Sequence, residues 1–262
     1  MSMRVLKAQL GPTRFTAPVG LQLMGSDLDA LAATAARVVE AGAPLVDLNF
    51  GCPAKGALRG CAGSAVLRDP GLLERIVATC VRAVEGTVPV SAKIRAGDED
   101  ANSVEVLARA AQAGGASLLT VHCRTRAEHY TPSLDWTRIE RAVGAVDIPV
   151  CGNGGIKNHA DFQRMRDETG CAFAMVGHGA LANPWIFSRR EITRAEAARF
   201  LLDYDCELHE RGIPSAQKRA GKLKQLLRHW TAGDLVGDQR RQWLATQDPQ
   251  ELFARLEVIA ES

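Results

Sequence analysis

The sequence lacks both a membrane-spanning run and a cysteine pattern. No stretch approaches the roughly 18 uninterrupted apolar residues of a membrane helix, and the N-terminus has no signal-peptide pattern. The seven cysteines are odd in number, scattered and never spaced C-x-x-C, which argues against a disulfide framework and a zinc site. We therefore expect a soluble, cytoplasmic protein with reduced thiols and no metal.

A strong charge imbalance is also lacking. The 262 residues carry a formal net charge of +2, and 46% of them are hydrophobic. This charge is too small to indicate nucleic-acid binding by itself. The apolar content suffices for one substantial core and a small second one, so one or two domains are expected.

Short apolar, β-branched runs alternate with longer stretches of helical period. This alternation is typical of βα units around a parallel sheet. The predicted strands are Val19–Met24, Leu45–Phe50, Val88–Ile94, Leu118–Cys123, Ile148–Gly152 and Phe173–Gly177. For the first helix between them, Ser26 is the predicted N-cap, Asp29 completes a capping box and Gly42 marks the end.

Polar or glycine-rich sequence follows every predicted strand. In an eight-stranded α/β barrel the carboxyl ends of the strands form the active-site face, so this clustering predicts one shared site. After Pro184 the strand signals stop, and helices are predicted near 194–211, 215–232 and 238–260. We expect an α/β fold, a TIM-type (β/α)8 barrel over residues 1–188, followed by a C-terminal helical domain over 189–262.

A series of motifs occupies residues 20–187. In order they are L-Q-L-M-G, D-L-N-F-G-C-P-A-K, S-A-K-I-R, V-H-C-R-T, G-N-G-G-I and M-V-G-H-G-A-L-x-N-P. In this order and spacing they resemble the tRNA-dihydrouridine synthases, and most of all the bacterial tRNA-dihydrouridine(16) synthase subgroup. The resemblance implies an oxidoreductase that uses FMN and NADPH to reduce a uridine in the D-loop of tRNA to 5,6-dihydrouridine.

Cys52 lies in a glycine-cysteine-proline turn directly after an apolar strand. Gly51 permits an unusual backbone angle and Pro53 fixes the next one. Taken alone, the turn favours a small residue in a packing role. The resemblance implies instead the general acid that protonates C5 of the uracil while reduced flavin delivers hydride to C6. A thiol suits this role because its ordinary pKa of about 8.5 leaves it mostly protonated at neutral pH.

The other cysteines are interpreted as buried packing residues. They are Cys61, Cys80, Cys123, Cys151, Cys171 and Cys206. The loop after the cysteine turn departs from the family: residues 55–65 read K-G-A-L-R-G-C-A-G-S-A, one residue longer and without the family's asparagine. Since this loop lies over the flavin in relatives, substrate positioning is expected to differ.

Lys93 and His122 are ionisable groups at the inward ends of apolar strands, where an unpaired charge is costly. From the residues alone, Lys93 either forms an ion pair with Asp47 or another carboxylate, or it serves a ligand. His122 either bonds to the backbone or serves a ligand. The resemblance implies that both contact the isoalloxazine ring of FMN, together with Gln22 and Asn49. A cation near the N1–O2 edge would stabilise the anionic reduced flavin.

Two glycine-rich segments, Asn153-Gly154-Gly155 and Gly177-His178-Gly179, end the last two predicted strands. Barrel enzymes frequently bind phosphate there, and two ordinary βα turns are the alternative. By resemblance this pocket holds the FMN phosphate. The family usually has arginine in place of His178 and an acidic residue in place of Gly155. An imidazole, with an ordinary pKa of about 6.5, should weaken the phosphate contact at neutral pH.

The stretch 211–230 is rich in Lys and Arg and contains no Asp or Glu. A solvated charged face is an equal alternative from sequence alone. The resemblance favours tRNA, because clustered cations supply the phosphate contacts that dominate such binding. The predicted RNA contacts are Lys218, Arg219, Lys222, Lys224 and Arg228, with Arg95 and Arg124 at strand ends.

Six predicted strands are fewer than a closed barrel needs, so the barrel is expected to be incomplete at its N-terminus, and FMN binding is expected to be weak. Met3–Leu10 is either a remnant strand or the tail of a helical region. The flanking strands Val19–Met24 and Phe173–Gly177 would carry unpaired backbone groups. A substitute strand, self-association through these edges, or a longer natural product would cover them.

Two other functions compete with tRNA uridine reduction. One is a catalytically impaired or inactive tRNA-binding paralogue of the same family. The other is a small-molecule FMN oxidoreductase, which has no evident need for the basic C-terminal helix. FMN content and tRNA binding distinguish the three.

Overall fold

The structure, a computed structural model, describes residues 2–10, 17–128 and 134–262. The chain divides into two units. The first comprises Met1–Gly155 and Asp161–Met175, and the second comprises Ile156–Ala160 and Val176–Ser262. The second unit therefore begins before residue 189, where the sequence predicts the start of the helical domain.

A parallel sheet forms the centre of the first unit. Its strands are β1 Leu21–Leu23, β2 Val46–Phe50, β3 Val90–Arg95, β4 Leu118–His122, β5 Val150–Asn153 and β6 Phe173–Met175. They pair in chain order, so all predicted strands are confirmed, although β1 and β6 have only three residues each. Within the described residues β1 and β6 have one neighbour each. Among the described residues this is the α/β arrangement of a TIM-type barrel wall that is open between β1 and β6.

Helices alternate with these strands. They are α1 Met3–Leu10, α2 Leu28–Glu40, α3 Lys55–Arg59, α4 Pro70–Ala83, α5 Val104–Ala113, α6 Thr137–Ala145 and α7 Ala160–Thr169. Because α1 is helical, the remnant-strand alternative for Met3–Leu10 is wrong. The prediction of Ser26 as N-cap is also wrong: Asp27 caps α2 by accepting the Ala30 N–H at 3.0 Å. The Ser26 hydroxyl instead donates to the Gly60 carbonyl.

The two faces of the sheet differ in chemistry, since successive side chains of a strand point to opposite sides. One face is apolar and buried, with Val46, Leu48, Ala92, Ile94, Leu119 and Val121 at most 1% exposed. Helices α2, α4, α5 and α6 contact the strands. The strand register places a second set of side chains together on the opposite side, which we call the polar face. Its members are Gln22, Asp47, Asn49, Ser91, Lys93, Arg95, Thr120, His122 and Asn153.

The second unit is helical. It contains α8 His178–Ala182, α9 Arg194–Glu210, α10 Ala216–Leu227, α11 Arg240–Ala245 and α12 Pro249–Ala260. The prediction of one helix over 238–260 is wrong, because Asp248 accepts the Gln250 N–H at 2.9 Å and caps a new helix that starts with Pro249. Its core includes Leu223 and Leu227 of α10 and Trp230 just beyond that helix, all fully buried.

Membrane crossing has no support in the described residues. No helix among them combines the length and apolarity that a bilayer span requires.

Candidate active site at the carboxyl ends of the strands

The Cys52 turn follows β2 and is held by hydrogen bonds on both sides. Asn49 Oδ1 accepts the N–H groups of Gly51 and Cys52 at 2.9 and 3.0 Å. On the other side, the Cys52 carbonyl accepts the N–H and the hydroxyl of Ser64 at 3.0 and 2.9 Å. The side chain of Cys52 is half-buried. The protein therefore fixes the backbone of this residue, and the residue stays partly accessible to solvent.

Gly63 and Ser64 are site residues that the sequence patterns did not reveal. Gly63 has a φ of +59°, and a Cβ added there would lie 2.7 Å from the Cys52 carbonyl oxygen. A larger residue would therefore strain the backbone and press on the cysteine turn. Ser64 is fully buried. The only signal for them is the Gly-Ser pair inside the loop that departs from the family.

A chain of hydrogen bonds leads across the polar face to Asn49. Ser91 Oγ donates to Asp47 Oδ1 at 2.5 Å, and Gln22 Nε2 donates to Asp47 Oδ2 at 2.6 Å. Asn49 Nδ2 in turn donates to Gln22 Oε1 at 2.6 Å. We call Ser91, Asp47, Gln22 and Asn49 the amide chain. Burial raises the pKa of Asp47, and the hydrogen bonds from Ser91 and Gln22 offset only part of this rise.

Lys93 is a partly buried cation on the polar face. Its Nζ donates to Asn153 Oδ1 at 3.1 Å. The Asn153 amide is oriented by its own Nδ2, which donates to the Met175 carbonyl at 2.9 Å. Burial, and then the nearby Arg95 charge, lower the pKa of Lys93. Across the described residues no carboxylate lies within ion-pair distance of this ammonium, so the predicted alternative of an ion pair with Asp47 is not observed.

His122 is held as a neutral imidazole. Its Nδ1 accepts the backbone N–H of Arg124 at 3.1 Å, which is the backbone bond considered as an alternative from sequence. Burial, followed by the positive charge of Lys93, lowers the pKa of His122 to about 3. Because Nδ1 is an acceptor, the single proton of the neutral ring resides on Nε2, and Nε2–H is a donor.

The glycines after β5 adopt conformations that favour glycine. Gly154 and Gly155 have φ values of +118° and +85°, and a Cβ on Gly155 would lie 2.4 Å from a methyl carbon of Leu134. A side chain at position 155 would therefore need a strained backbone and a shift of the Leu134 methyl group. The Gly154 carbonyl accepts Trp136 Nε1–H at 3.0 Å. The first unit thus brings Asn153, Gly154 and Gly155 to the same sheet end as Lys93.

Gly177 and His178, for which phosphate binding is predicted, belong to the second unit. His178 begins the short helix α8. Its ring centroid lies 6.0 Å from that of His229, just beyond the C-terminal end of α10. An imidazole pair therefore neighbours the basic stretch.

The cations predicted to contact RNA fall into two groups. Arg95 is only 5% exposed, and it donates to the carbonyls of Gly51 and Thr125 at 2.7 and 3.0 Å, which braces the Cys52 turn. Arg219 forms an ion pair with Asp205 at 2.8 Å. Lys224 also belongs to the group that contacts other protein groups, because it donates to the Thr246 carbonyl. The predicted RNA contacts of the basic stretch that are exposed are Lys218, Lys222 and Arg228.

The packing interpretation holds for four of the remaining cysteines. Cys80, Cys123, Cys151 and Cys171 are buried, and burial raises the pKa of each of the first three to about 11. The interpretation is wrong for Cys61 and Cys206, which are exposed. Cys61 lies in the loop that follows the Cys52 turn, and Cys206 lies on a solvent-facing side of α9.

Comparison with known proteins gives a consistent result. The family model described as Dihydrouridine synthase (Dus) matches residues 3–247. The chain is 43% identical to the tRNA-dihydrouridine(16) synthase of Cupriavidus necator over 68% of this chain and 56% of that protein. It is 35% identical to the protein of the same name from Aquipseudomonas alcaligenes, over 82% of this chain and 71% of that protein. The chain thus spans little more than half the length of the first relative.

Similarity to solved structures extends to the fold alone. The chain superposes on DHODH from Eimeria tenella with a TM-score of 0.52, over 77% of this chain and 62% of that one. The two sequences are 16% identical.

Proposed function

Because the chain belongs to the dihydrouridine synthase family, we propose that it reduces a uridine in the D-loop of tRNA to 5,6-dihydrouridine, with FMN as cofactor and NADPH as reductant. The names of its curated relatives support this activity. The observation that carries the proposal is the common location of the Cys52 turn and Lys93. Asn49, which holds the turn, pairs in register with Lys93 on the neighbouring strand.

The polar face fits a flavin ring in its chemistry. Lys93 has an amide oxygen as its hydrogen-bond partner and, within the described ranges, no carboxylate at ion-pair distance. A partly buried cation in this state is costly, and an electron-rich ring edge would compensate its charge. Gln22, Asn49 and His122 contribute N–H donors. We assign these four residues to the ring, and Asn153, Gly154 and Gly155 to the phosphate.

Cys52 supplies the proton of the proposed reaction. FMN, when bound and reduced by NADPH, provides the hydride that C6 of the uracil accepts. The S–H bond of Cys52 breaks as C5 gains its proton, and solvent returns a proton to the thiolate. One uridine, one NADPH and one proton thus give one dihydrouridine and one NADP⁺. Asn49 and Ser64 hold the backbone so that the thiol keeps one position during this transfer.

His122 acts as a hydrogen-bond donor and not as an acid in this proposal. With a pKa of about 3 it stays neutral at physiological pH, so Nε2–H donates without carrying charge. Lys93 provides the positive charge of the site. The division of roles follows from the surroundings of each group.

The second unit contributes tRNA contacts through its exposed cations. Lys218, Lys222 and Arg228 are exposed, and exposed Lys and Arg release counterions when they neutralise RNA phosphates. The small-molecule alternative gives no role to this surface. The basic surface therefore favours a nucleic-acid substrate.

The proposal is tested with the purified chain, FMN, NADPH and tRNA that lacks dihydrouridine. We expect bound FMN and dihydrouridine in the recovered tRNA. Binding of tRNA without FMN would favour the inactive paralogue, and FMN reduction without tRNA binding would favour the small-molecule oxidoreductase. Either result would overturn the proposal.

A further inference from the structure

The direction of the amide chain is set by one residue. Ser91 and Gln22 both donate hydrogen bonds to Asp47, and an ionised carboxylate accepts hydrogen bonds and donates none. Gln22 then has its carbonyl oxygen for the Asn49 amide, and Asn49 has its own carbonyl oxygen for the N–H of Cys52. A side chain at position 47 that both donates and accepts would allow the side-chain amide of Gln22 or of Asn49 to flip, which exchanges the positions of its oxygen and nitrogen.

We propose that Asp47 is a positioning residue that orders the Gln22 and Asn49 amides, and thereby holds the Cys52 turn and directs amide N–H donors toward a ligand. In the part of the chain that the structure describes, each amide has one further N–H that no protein group accepts. With Lys93 and the Nε2–H of His122, this face selects a ligand edge rich in hydrogen-bond acceptors. That the ligand is FMN rests on the proposed function, whereas the ordering of the amides does not.

The raised pKa of Asp47 means that ionisation of its carboxylate does not increase the stability of the folded protein. A raised pKa in the folded state means that the stabilising contribution is present below the ordinary value of 3.8 and is lost as pH rises through the folded value. The ionised form of the Asp47 carboxylate is therefore less favourable to folding than the protonated form. Glu128 differs, because its hydrogen bond from Arg138 lowers its pKa to about 2. A partly buried charge kept against folding stability is typical of a functional site.

The ordering is measured directly by amide hydrogen exchange at the Cys52 N–H, which donates to Asn49. We expect Asp47→Asn to accelerate this exchange by about 10-fold or more, because the hydrogen bond loses its fixed acceptor. Asp161→Asn is the matched control, a buried carboxylate on α7 that pairs with Arg164 at 3.2 Å. It should leave the Cys52 exchange rate within about 2-fold of the original.

A second variant and a second measurement also test the role of Asp47. If Asp47→Asn does not fold, Gln22→Met at an exposed position interrupts the same chain and should accelerate Cys52 exchange equally. Flavin affinity, from quenching of FMN fluorescence, should weaken about 10-fold in Asp47→Asn. Unchanged Cys52 exchange in both variants would overturn the positioning role, and accelerated exchange with unchanged FMN affinity would overturn the ordering of donors for the ligand. If the original chain binds no FMN, the proposed function fails while the exchange result still decides the role of Asp47.

Discussion

The charged side chains of the polar face in the first unit and of the basic stretch in the second differ in their exposure to water. On the polar face, Asp47 and Lys93 are largely withdrawn from water and hydrogen-bonded to protein groups. In the basic stretch, Lys218 and Lys222 are exposed. Withdrawn groups keep one geometry and have shifted pKa values, which suits chemistry. Exposed cations exchange partners readily, which suits phosphate binding over a large surface.

The largest effect is expected on the polar-face side of this comparison, where substitution of Cys52 should lower the rate of uridine reduction. Cys52→Ala should lower uridine reduction by about 10²-fold or more, the range for loss of a positioned general acid. Folding and tRNA affinity should change little, because the turn is held through its backbone. The measurement is the rate at which tRNA reoxidises the reduced enzyme in stopped flow. Cys61→Ala, an exposed cysteine of the same loop, is the control, and equal rates for both variants would refute the general-acid role.

The next largest effect is the pH dependence of stability that arises from the partly buried imidazole of His122. Since the folded pKa of His122 is about 3 and the ordinary value is about 6.5, the unfolded chain binds the proton first as pH falls. The contribution of His122 to stability is therefore complete above pH 6.5 and declines toward pH 3. Between pH 7 and 4 the loss should be about 3 kcal/mol. Urea unfolding at both pH values measures it, and His122→Gln should show a correspondingly smaller decrease.

A smaller effect is expected where the backbone supports the turn. Gly63→Ala should lower the free energy of unfolding by about 1–3 kcal/mol, because of the positive φ and the close Cys52 carbonyl. Gly56→Ala is the matched control, since a Cβ there meets nothing within 4 Å. Comparable melting temperatures for the two variants would show that the loop accommodates a side chain at position 63.

The smallest effect is expected on the exposed side of the comparison. Neutralising Lys218, Lys222 and Arg228 to Gln should weaken tRNA binding and reduce the log–log salt slope by about 0.7–0.9 for each lost phosphate contact. Filter binding between low and physiological salt measures the slope. Exposed cations outside the stretch, Arg37 and Arg82, provide the control variant. An unchanged slope in the triple variant would identify these residues as a solvated face.

Local patterns predicted the strands well, because each is an apolar run bounded by polar sequence. The same patterns misplaced the N-cap of α2 by one residue, because Asp27 and not the neighbouring Ser26 accepts the backbone N–H of the first turn. They also merged α11 with α12, because the cap that Asp248 forms was not recognised as the start of a new helix. Cys52 and Lys93 were found through family motifs. The amide chain was not predictable, because its hydrogen bonds join residues 25, 27 and 44 positions apart. The role of Gly63 likewise depends on a carbonyl that only the fold brings close.

The most direct test of the account is the dihydrouridine content of tRNA from cells with the gene present, deleted, and restored as the original or the Cys52→Ala form. Mass spectrometry of digested tRNA measures it. We predict that dihydrouridine in the D-loop is lost on deletion, regained with the original gene and not regained with Cys52→Ala. Dihydrouridine that is unchanged by deletion, or fully restored by Cys52→Ala, would contradict the account.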